Sequence, residues 1–266
     1  MRRMVDRGEL VEHYATADEQ GRLTGGTSLE RLRTQLLLRR ALPAAPSRIL
    51  DVGGGAGVHA AWLAELGHSV HLVDAVPEHV EQARSAGTFT AALGDAVELA
   101  EADHSYDAVL LLGPLYHLRR RSERIQALRE AHRVTRAGGV LAAAAISRYA
   151  SMMDGFYRGF VADPAFVEIV VRDLETGRHD NPTRHPRYFT SSYFHTCAEL
   201  RAEIAAAGYR LVDLLPVEGV LAWYPGLDEQ MSDPVRRDLV LRCIERTEHD
   251  PAVTAASPHL LALASV

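Results

Sequence analysis

Two acidic residues and a group of glycines have the types and spacing that could bind a nucleoside. Asp51 is followed by Gly53, Gly55 and Gly57, and Asp74 comes roughly 20 residues after the first glycine. Without a Cβ atom, glycine lets the backbone turn sharply and lie against a ligand. An acid at the end of a second strand can accept hydrogen bonds from ribose hydroxyls. The pattern therefore predicts a nucleoside site.

A strand, a loop, a helix and a second strand are needed to hold these side chains together. Residues 48–52 form a short apolar run, which is typical of a parallel strand buried on both faces. Apolar spacing predicts a helix over 59–66, and Gly67 follows where a helix end favours positive φ. Residues 69–73 predict the next strand, which leads directly to Asp74. We therefore expect a βαβ unit.

The glycine spacing separates two families of nucleotide-binding fold. A dinucleotide fingerprint beginning at Gly53 needs a small residue at position 58, where the chain has Val58. The pattern is instead acid-x-G-x-G-x-G from Asp51, and it resembles the first motif of the class I S-adenosylmethionine-dependent methyltransferases. The resemblance implies an α/β, Rossmann-like, seven-stranded and mostly parallel sheet with helices on both faces. An NAD-dependent oxidoreductase is the nearest rival with a similar fold.

The cofactor that the resemblance implies is S-adenosyl-L-methionine. In the family, a loop like Gly94–Ala96 holds the adenine, with Asp95 accepting the exocyclic amine, although a Gly-Asp turn is also common turn chemistry. An aromatic and a basic residue near the N-terminus often touch the methionine part, and Tyr14 and Arg22 match those types unless they are ordinary surface residues. The predicted cofactor residues are Tyr14, Arg22, Asp51, Gly53, Gly55, Gly57, Asp74, Ala75, Asp95, Ala96 and Leu112.

The rest of the chain predicts further strands that alternate with helices in a single domain. We divide it into N-terminal cap helices (1–47), a cofactor-binding core (48–146), a lid insertion after the fifth strand (147–195) and the C-terminal part of the sheet (196–266). The predicted helices are 28–42, capped by Thr27 or Ser28, then 77–86, 119–136 ending at Gly138-Gly139, and 196–207. The later predicted strands are 88–93, the run from Tyr106, 140–146, 209–216 and 259–265.

His117 is the candidate catalytic residue. It follows the fourth strand by a Gly-Pro turn, and ligands of open parallel sheets bind at the carboxyl ends of the strands. An imidazole titrates at about pH 6.5 and can accept a proton from an acceptor atom. Two bland alternatives remain, in which His117 packs against the cofactor or caps the next helix.

The segment 147–195 is too long for a simple crossover and is rich in methionine and aromatic residues. Such an insertion is typical of a lid over a hydrophobic substrate. Alternatively, these residues give the insertion a small core of its own. The predicted substrate-binding residues are Tyr116, Met152, Phe156, Tyr157, Tyr193, His195 and Trp223.

Composition excludes several classes of protein. The 266 residues carry a net charge of −6, so no broad basic surface for nucleic acid is expected. The chain has no lysine, which excludes a Walker A motif and a pyridoxal Schiff base. Two distant cysteines support no disulfide framework, and His179, His185, His68 and His71 lack a third ligand at metal-site spacing, so no metal is predicted. With neither a long apolar run nor a leader pattern, we expect a soluble cytoplasmic protein without membrane contact, as a monomer or homodimer.

These observations predict methyl transfer to an oxygen, nitrogen or carbon of a small organic molecule, with secondary metabolism as one setting. A non-methylating enzyme that uses S-adenosylmethionine is an alternative, as is a non-catalytic module that binds it. Either would bind the cofactor without labelled methyl appearing in a product.

Overall fold

The computed structural model describes residues 28–185 and 187–266. The strands are β1 (Arg48–Val52), β2 (Ser69–Asp74), β3 (Thr90–Leu93), β4 (Tyr106–Leu111), β5 (Thr135–Ile146), β6 (Arg178–His179), β7 (Ser192–Tyr193), β8 (Arg210–Pro216) and β9 (His259–Ser265). The α-helices are α1 (Leu29–Ala41), α2 (Val58–Glu65), α3 (Pro77–Ser85), α4 (Pro114–His117), α5 (Arg121–Val134), α6 (Ala150–Arg158), α7 (Pro164–Thr176), α8 (Cys197–Ala206), α9 (Leu227–Ser232), α10 (Pro234–Thr247) and α11 (Pro251–Ala256). Two 3-10 helices cover Phe160–Ala162 and Gly219–Trp223.

Seven of these strands form one sheet in the order β3-β2-β1-β4-β5-β9-β8. The strands from β3 to β5 are parallel, and β9 runs antiparallel to both of its neighbours, β5 and β8. This arrangement confirms the predicted Rossmann-like, mostly parallel sheet. Among the described residues, no helix combines the length and apolar content needed to cross a bilayer.

Alternation along the central strands explains why helices cover both faces of the sheet. Leu50 of β1 packs in one core cluster with Leu128 of α5 and Leu200 of α8. Its neighbour Ile49 packs in the opposite cluster, with Leu63 of α2. Successive side chains of a strand point to opposite faces. The apolar run 48–52 is therefore buried on both faces because a core cluster lies on each side of the sheet. The glycine loop therefore follows a strand that is packed on both faces.

The end of α5 differs from the sequence prediction, which placed it at Gly138-Gly139. The helix stops at Val134, because Thr135 adopts extended dihedral angles and its hydroxyl donates to the carbonyl of Ala131 at 2.6 Å. Thr135 then pairs with Tyr106 as the first residue of β5. The predicted end was wrong because the glycines lie within the strand, beside a register shift between β4 and β5.

The insertion between β5 and α8 builds its own apolar core. The rings of Phe160, Phe166 and Tyr188 lie 4.7–5.4 Å apart between centroids, and Ile169 and Val170 of α7 complete the cluster. This is the alternative that the sequence left open for the aromatic residues. A lid function for the segment stays a prediction.

Candidate active site

Three glycines of the loop between β1 and α2 have left-handed backbone conformations, but they face different surroundings. A Cβ atom on Gly53 would lie 2.7 Å from Cγ of Pro114, and one on Gly57 would lie 2.4 Å from Cζ of Phe89. Gly55, with φ of 58°, has no heavy atom of residues 28–185 or 187–266 within 4 Å of such a position. Gly53 and Gly57 are therefore glycines because the protein packs against them, whereas Gly55 faces open space where a ligand can approach.

Asp74, at the end of β2, holds this loop in place. Its Oδ2 accepts a hydrogen bond from the Gly55 N–H at 2.9 Å, and its Oδ1 accepts one from the Val76 N–H at 2.9 Å. Nδ1 of His79 lies 3.3 Å from Oδ1. Burial raises the pKa of Asp74, but the bonds from His79, Val76 and Gly55 outweigh burial and bring that pKa below its ordinary value. Asp74 is thus a fixed carboxylate beside the open glycine.

Asp51, at the end of β1, has the opposite electrostatic character. It is 1% exposed, and neither carboxylate oxygen has a hydrogen-bond partner among the residues that the structure describes. Burial, followed by repulsion from Asp74, raises the pKa of Asp51 to about 7. A Cβ atom on Gly54 would come within 2.6 Å of Oδ2, so the carboxyl lies directly against the loop. Buried polar groups without partners are uncommon, which makes Asp51 a candidate ligand-binding group, and its predicted contact with the cofactor stays a prediction.

The other predicted cofactor residues lie at the carboxyl ends of the next strands. Ala75 follows β2, Leu112 follows β4, and both are partly buried. Asp95 follows β3, and its Oδ1 accepts a hydrogen bond from the Val97 N–H at 3.0 Å, which leaves Ala96 buried in the turn. The described members of the predicted set are therefore gathered along one edge of the sheet, where ligands of this architecture bind.

Tyr14 and Arg22 lie outside the described residues, so their predicted contacts with the cofactor stay a prediction.

Comparison with known proteins shows which family the segment with this edge resembles. Residues 50–143, which include the glycine loop and the ends of β1 to β4, match the family described as "Methyltransferase domain". Residues 50–143 therefore form a methyltransferase domain. An uncharacterised methyltransferase of Mycobacterium tuberculosis is 40% identical over 101 residues, which are 38% of this chain and 40% of that protein. This chain thus spans about two fifths of the curated relatives that it matches first.

Solved structures share the fold of the methyltransferase domain at low sequence identity. An S-adenosylmethionine-dependent methyltransferase from Mesorhizobium loti has a TM-score of 0.61 at 17% identity, over 90% of this chain and 100% of that one. The 1,6-didemethyltoxoflavin N1-methyltransferase of Burkholderia thailandensis, solved with S-adenosylhomocysteine, has a TM-score of 0.56 at 18% identity, over 97% and 87% of the two chains. At these identities the likeness establishes the fold alone.

Aromatic rings stand beside the cofactor edge of the methyltransferase domain. Tyr116 and His117 lie on the single-turn helix α4, directly after β4, with ring centroids 4.6 Å apart. Phe189 of the insertion lies 6.4 Å from Tyr116 and 6.3 Å from His117, centroid to centroid. We call these three residues the aromatic wall. Phe189 was one of many aromatic residues in the insertion, and only the fold of the insertion distinguishes it.

The remaining predicted substrate residues lie on α6 and on the 3-10 helix Gly219–Trp223, and their contacts with a substrate stay a prediction. Met152 packs against the core of the insertion, whereas Phe156 and Tyr157 are 69% and 49% exposed. Nε1 of Trp223 donates to the carbonyl of Ala256, 33 residues later in the sequence, at 3.0 Å. The amphipathic helix α6 therefore presents some of these side chains to its own core and others to solvent.

Tyr193 and His195 belong to a buried ionic cluster that joins the insertion to α5 and α8. The guanidinium of Arg124 lies 3.6 Å from the ring centroid of Tyr193 and donates two hydrogen bonds to Glu203, at 2.9 and 2.7 Å. His195 is fully buried, with Nε2 3.2 Å from Glu203. Burial lowers the pKa of His195. Burial alone would raise the pKa of Glu203, but His195 and Arg124 lower it to about 2. The structure thus places both predicted substrate residues in a supporting cluster, and their substrate contacts stay a prediction.

The two kinds of glycine predict two different outcomes of alanine substitution. Gly53→Ala should destabilise the fold by several kcal/mol, because its new methyl group meets the rigid ring of Pro114 in a strained backbone. Gly55→Ala should cost only about 1 kcal/mol in the free energy of unfolding but should weaken S-adenosylhomocysteine binding at least about 10-fold. Denaturant titration and calorimetry measure the two effects. Equal loss of stability in both variants would contradict this reading of the loop.

Proposed function

We propose that this protein transfers a methyl group from S-adenosylmethionine to an oxygen, nitrogen or carbon atom of a small organic acceptor. One observation carries the proposal: Asp74 holds the open Gly55, and the carboxyl of Asp51, which has no hydrogen-bond partner among the described residues, lies against the adjacent Gly54. The space beside Gly55 lets a nucleoside approach the backbone. Two acids can bind its polar groups, Asp74 with a lowered pKa and Asp51 with a raised pKa. Val58, at the position where a dinucleotide fingerprint needs a small residue, disfavours NAD.

The residues of the loop fit the parts of S-adenosylmethionine. Asp74 still has acceptor capacity on both oxygens and would take the ribose hydroxyls. Asp95, in the turn after β3, would accept the amine of the adenine. Asp51 would face the cationic amino acid end, where an opposite charge offsets the cost of its own ionisation. Each role follows from the position of a strand end along the sheet.

The chemistry requires alignment more than activation by the protein. When bound, S-adenosylmethionine supplies a methyl group on an already activated sulfonium. The aromatic wall of Tyr116, His117 and Phe189 would orient the acceptor and exclude water at the carboxyl end of β4. Positioning of this kind is worth ~7–11 kcal/mol of the barrier, and a proton acceptor would add about 10²–10⁴-fold where the acceptor atom carries a proton.

The acceptor is proposed to be small and partly apolar. The aromatic wall is a surface suited to a flat molecule, and a net charge of −6 disfavours a polyanionic nucleic acid. The predicted cytoplasmic location, the setting in secondary metabolism, the lid and the oligomeric state stay predictions. His117 as the general base also stays a prediction.

Calorimetry and label transfer together test the proposed function. S-adenosylmethionine and S-adenosylhomocysteine should bind, and NAD⁺ should fail to bind at a comparable concentration. Tritium from the labelled methyl group should then appear on one or more members of a panel of phenols, amines and carboxylic acids. Preferential NAD⁺ binding would contradict the proposal. Tight S-adenosylmethionine binding with no transfer to any acceptor would favour the non-methylating alternatives.

Replacing Asp74 by asparagine tests the assignment of the nucleoside end. The variant should bind S-adenosylhomocysteine more weakly by roughly 1–3 kcal/mol, because charge-assisted hydrogen bonds to the ribose become neutral ones. Asp154→Asn is a matched control, since Asp154 is a carboxylate on α6 that bonds to Arg158 at 2.7 Å. Equal affinities of the two variants would exclude Asp74 from the site.

A further inference from the structure

A histidine and a buried carboxylate form a close pair at the same edge of the sheet. Nδ1 of His259, the first residue of β9, lies 2.6 Å from Oε1 of Glu218, which follows β8. Glu218 is 5% exposed, and the side chain of His259 is 23% exposed. The buried carboxylate of Glu218 therefore contacts a histidine whose side chain is partly exposed to solvent.

Strand register places this pair at the carboxyl edge. His259 is paired with Ile146, the last residue of β5, and the Val217 N–H donates to the carbonyl of His259 at 3.0 Å. β5 is the direct neighbour of β4, from which the aromatic wall follows. The pair thus lies two strands from β4, a lateral distance of about 10 Å at ordinary strand spacing.

Glu30 connects the pair to the glycine loop. One ligating atom from each of Glu30, Glu218 and His259 lies within 4.8 Å of the others. Glu30, on the first turn of α1, also interacts electrostatically with His59 of α2. Burial lowers the pKa of His59 to about 4, whereas the negative charge of Glu30 raises it. Because α2 begins directly after the loop, the pair and the loop lie on the same side of the molecule.

Hydrogen bonds fix the orientation of Glu218 and hence of the imidazole. Oε2 of Glu218 accepts from the His259 N–H at 3.2 Å, and the Ser257 hydroxyl, which lies 2.8 Å from the His259 carbonyl, is 3.3 Å from the same oxygen. Oε1 is then the acceptor for Nδ1–H of His259. A neutral imidazole that donates from Nδ1 has its lone pair on Nε2. A carboxylate that holds one ring nitrogen in this way selects the tautomer that accepts a proton at the other.

We propose that His259 is the general base of the methyl transfer and that Glu218 is its positioning residue. This inference rests on the proposed function. As the acceptor atom forms its bond to the methyl carbon, its proton passes to Nε2 of His259, and the electrons of the broken carbon–sulfur bond remain on sulfur. The carboxylates of Glu218 and Glu30 offset the positive charge formed on the imidazole, which later releases its proton to water.

The same three side chains also form a donor set for a divalent cation. The distance of 2.6 Å between Nδ1 and Oε1 is that of a hydrogen bond, and Oε2 of Glu218 already accepts a bond from the His259 N–H. The observations therefore favour a base over a metal site, and a metal becomes one result of the test.

The first test needs no acceptor. Nitrogen-15 NMR of the full chain with S-adenosylhomocysteine reports which ring nitrogen carries hydrogen, and His259→Gln assigns the signal by removing it. The proposal expects His259 in the Nδ1–H form, and it expects Glu218→Gln to shift the population toward Nε2–H. An Nε2–H form in the unaltered protein would overturn the proposal. So would selective broadening of the His259 signal by stoichiometric Mn²⁺, which would reveal a metal site.

The second test measures turnover with the member of the acceptor panel that is methylated fastest. His259→Gln should lower turnover at least about 10²-fold while S-adenosylhomocysteine affinity stays within about twofold. Turnover of His259→Gly should be partly restored by added imidazole. His71→Gln is the matched control, because His71 is 26% exposed and lies 3.6 Å from Glu101.

Full turnover of His259→Gln would overturn the proposal, most clearly if His117→Gln loses turnover instead. Failure of the unaltered protein to bind S-adenosylhomocysteine would be a different result, because it would contradict the proposed function itself.

Discussion

Replacing Asp51 by asparagine is expected to make the ligand-free protein more resistant to unfolding as the pH rises, relative to the unaltered protein. The pKa of Asp51 is raised from 3.8 to about 7 by burial and by Asp74. Well below pH 3.8 the carboxyl is protonated in both the folded and the unfolded chain. Between about pH 4 and pH 7 the unfolded chain ionises while the folded state keeps its proton, so stability is lost progressively until the pH has passed the folded pKa of about 7.

The size of this effect follows from the pKa difference. Between pH 5 and pH 8, the unaltered protein should lose about 2–3 kcal/mol of unfolding free energy through Asp51, and Asp51→Asn should lose none of it. Denaturant titrations of both proteins at the two pH values measure the difference. Asp154→Asn, on the exposed side of α6, should follow the unaltered protein. Parallel pH dependence of Asp51→Asn and the unaltered protein would contradict the assignment.

The same carboxyl should couple proton release to cofactor binding. A cationic ligand group stabilises ionised Asp51, so affinity for S-adenosylmethionine should rise between pH 6 and pH 8, and a fraction of a proton should be released near pH 7. Calorimetry in two buffers of different ionisation enthalpy measures that proton. Asp51→Asn should bind more weakly and show neither the pH dependence nor the release. The residue that destabilises the empty protein would thus be the one that recognises its cofactor.

Arg124→Ala is expected to cause the largest loss of stability among single arginine replacements in this account. The guanidinium is 1% exposed, ion-paired with Glu203, and donates to the carbonyls of Leu118 and Arg119. Removing it leaves two carbonyls without their donor and the buried carboxylate of Glu203 with His195, whose pKa is lowered by burial, as its hydrogen-bond partner, at a cost of about 3–5 kcal/mol in unfolding free energy. Thermal or denaturant unfolding measures this loss.

Two controls separate the buried charge from the lost side chain. Arg158→Ala removes an exposed ion pair with Asp154 and should cost no more than about 1 kcal/mol. The double replacement Arg124→Met with Glu203→Leu should recover much of the stability, because no charge then remains buried without a partner. Equal losses in Arg124→Ala and Arg158→Ala would show that the ionic cluster does not stabilise the fold.

The sequence predicted the parts of this fold whose determinants are local. Residues 259–265 have the bounds of β9, and Asp74 ends β2 as expected, because short apolar runs punctuated by glycine and acid specify strand ends directly. The acid-x-G-x-G-x-G pattern places Asp51 and Gly55 at one edge for the same reason. Resemblance to the methyltransferases then supplied the seven-stranded, mostly parallel sheet, and the structure confirms that fold.

The sequence did not predict pairings between distant segments. Glu218 and His259 are 41 residues apart, and only the register of β8 with β9 brings them together. Tyr193 and His195 have the residue types of a substrate pocket, yet their burial against Arg124 and Glu203 depends on how the insertion packs on α5 and α8. Side-chain type indicates what chemistry is available, whereas tertiary packing decides which groups meet.

A crystal structure with bound S-adenosylhomocysteine tests the central claim most directly. We expect the ribose hydroxyls on the carboxylate of Asp74, the adenine beside Asp95 and Ala96, and the sulfur directed toward the aromatic wall at the end of β4. A ligand bound elsewhere on the molecule, or a loop whose Gly55 makes no contact with it, would contradict the proposed site.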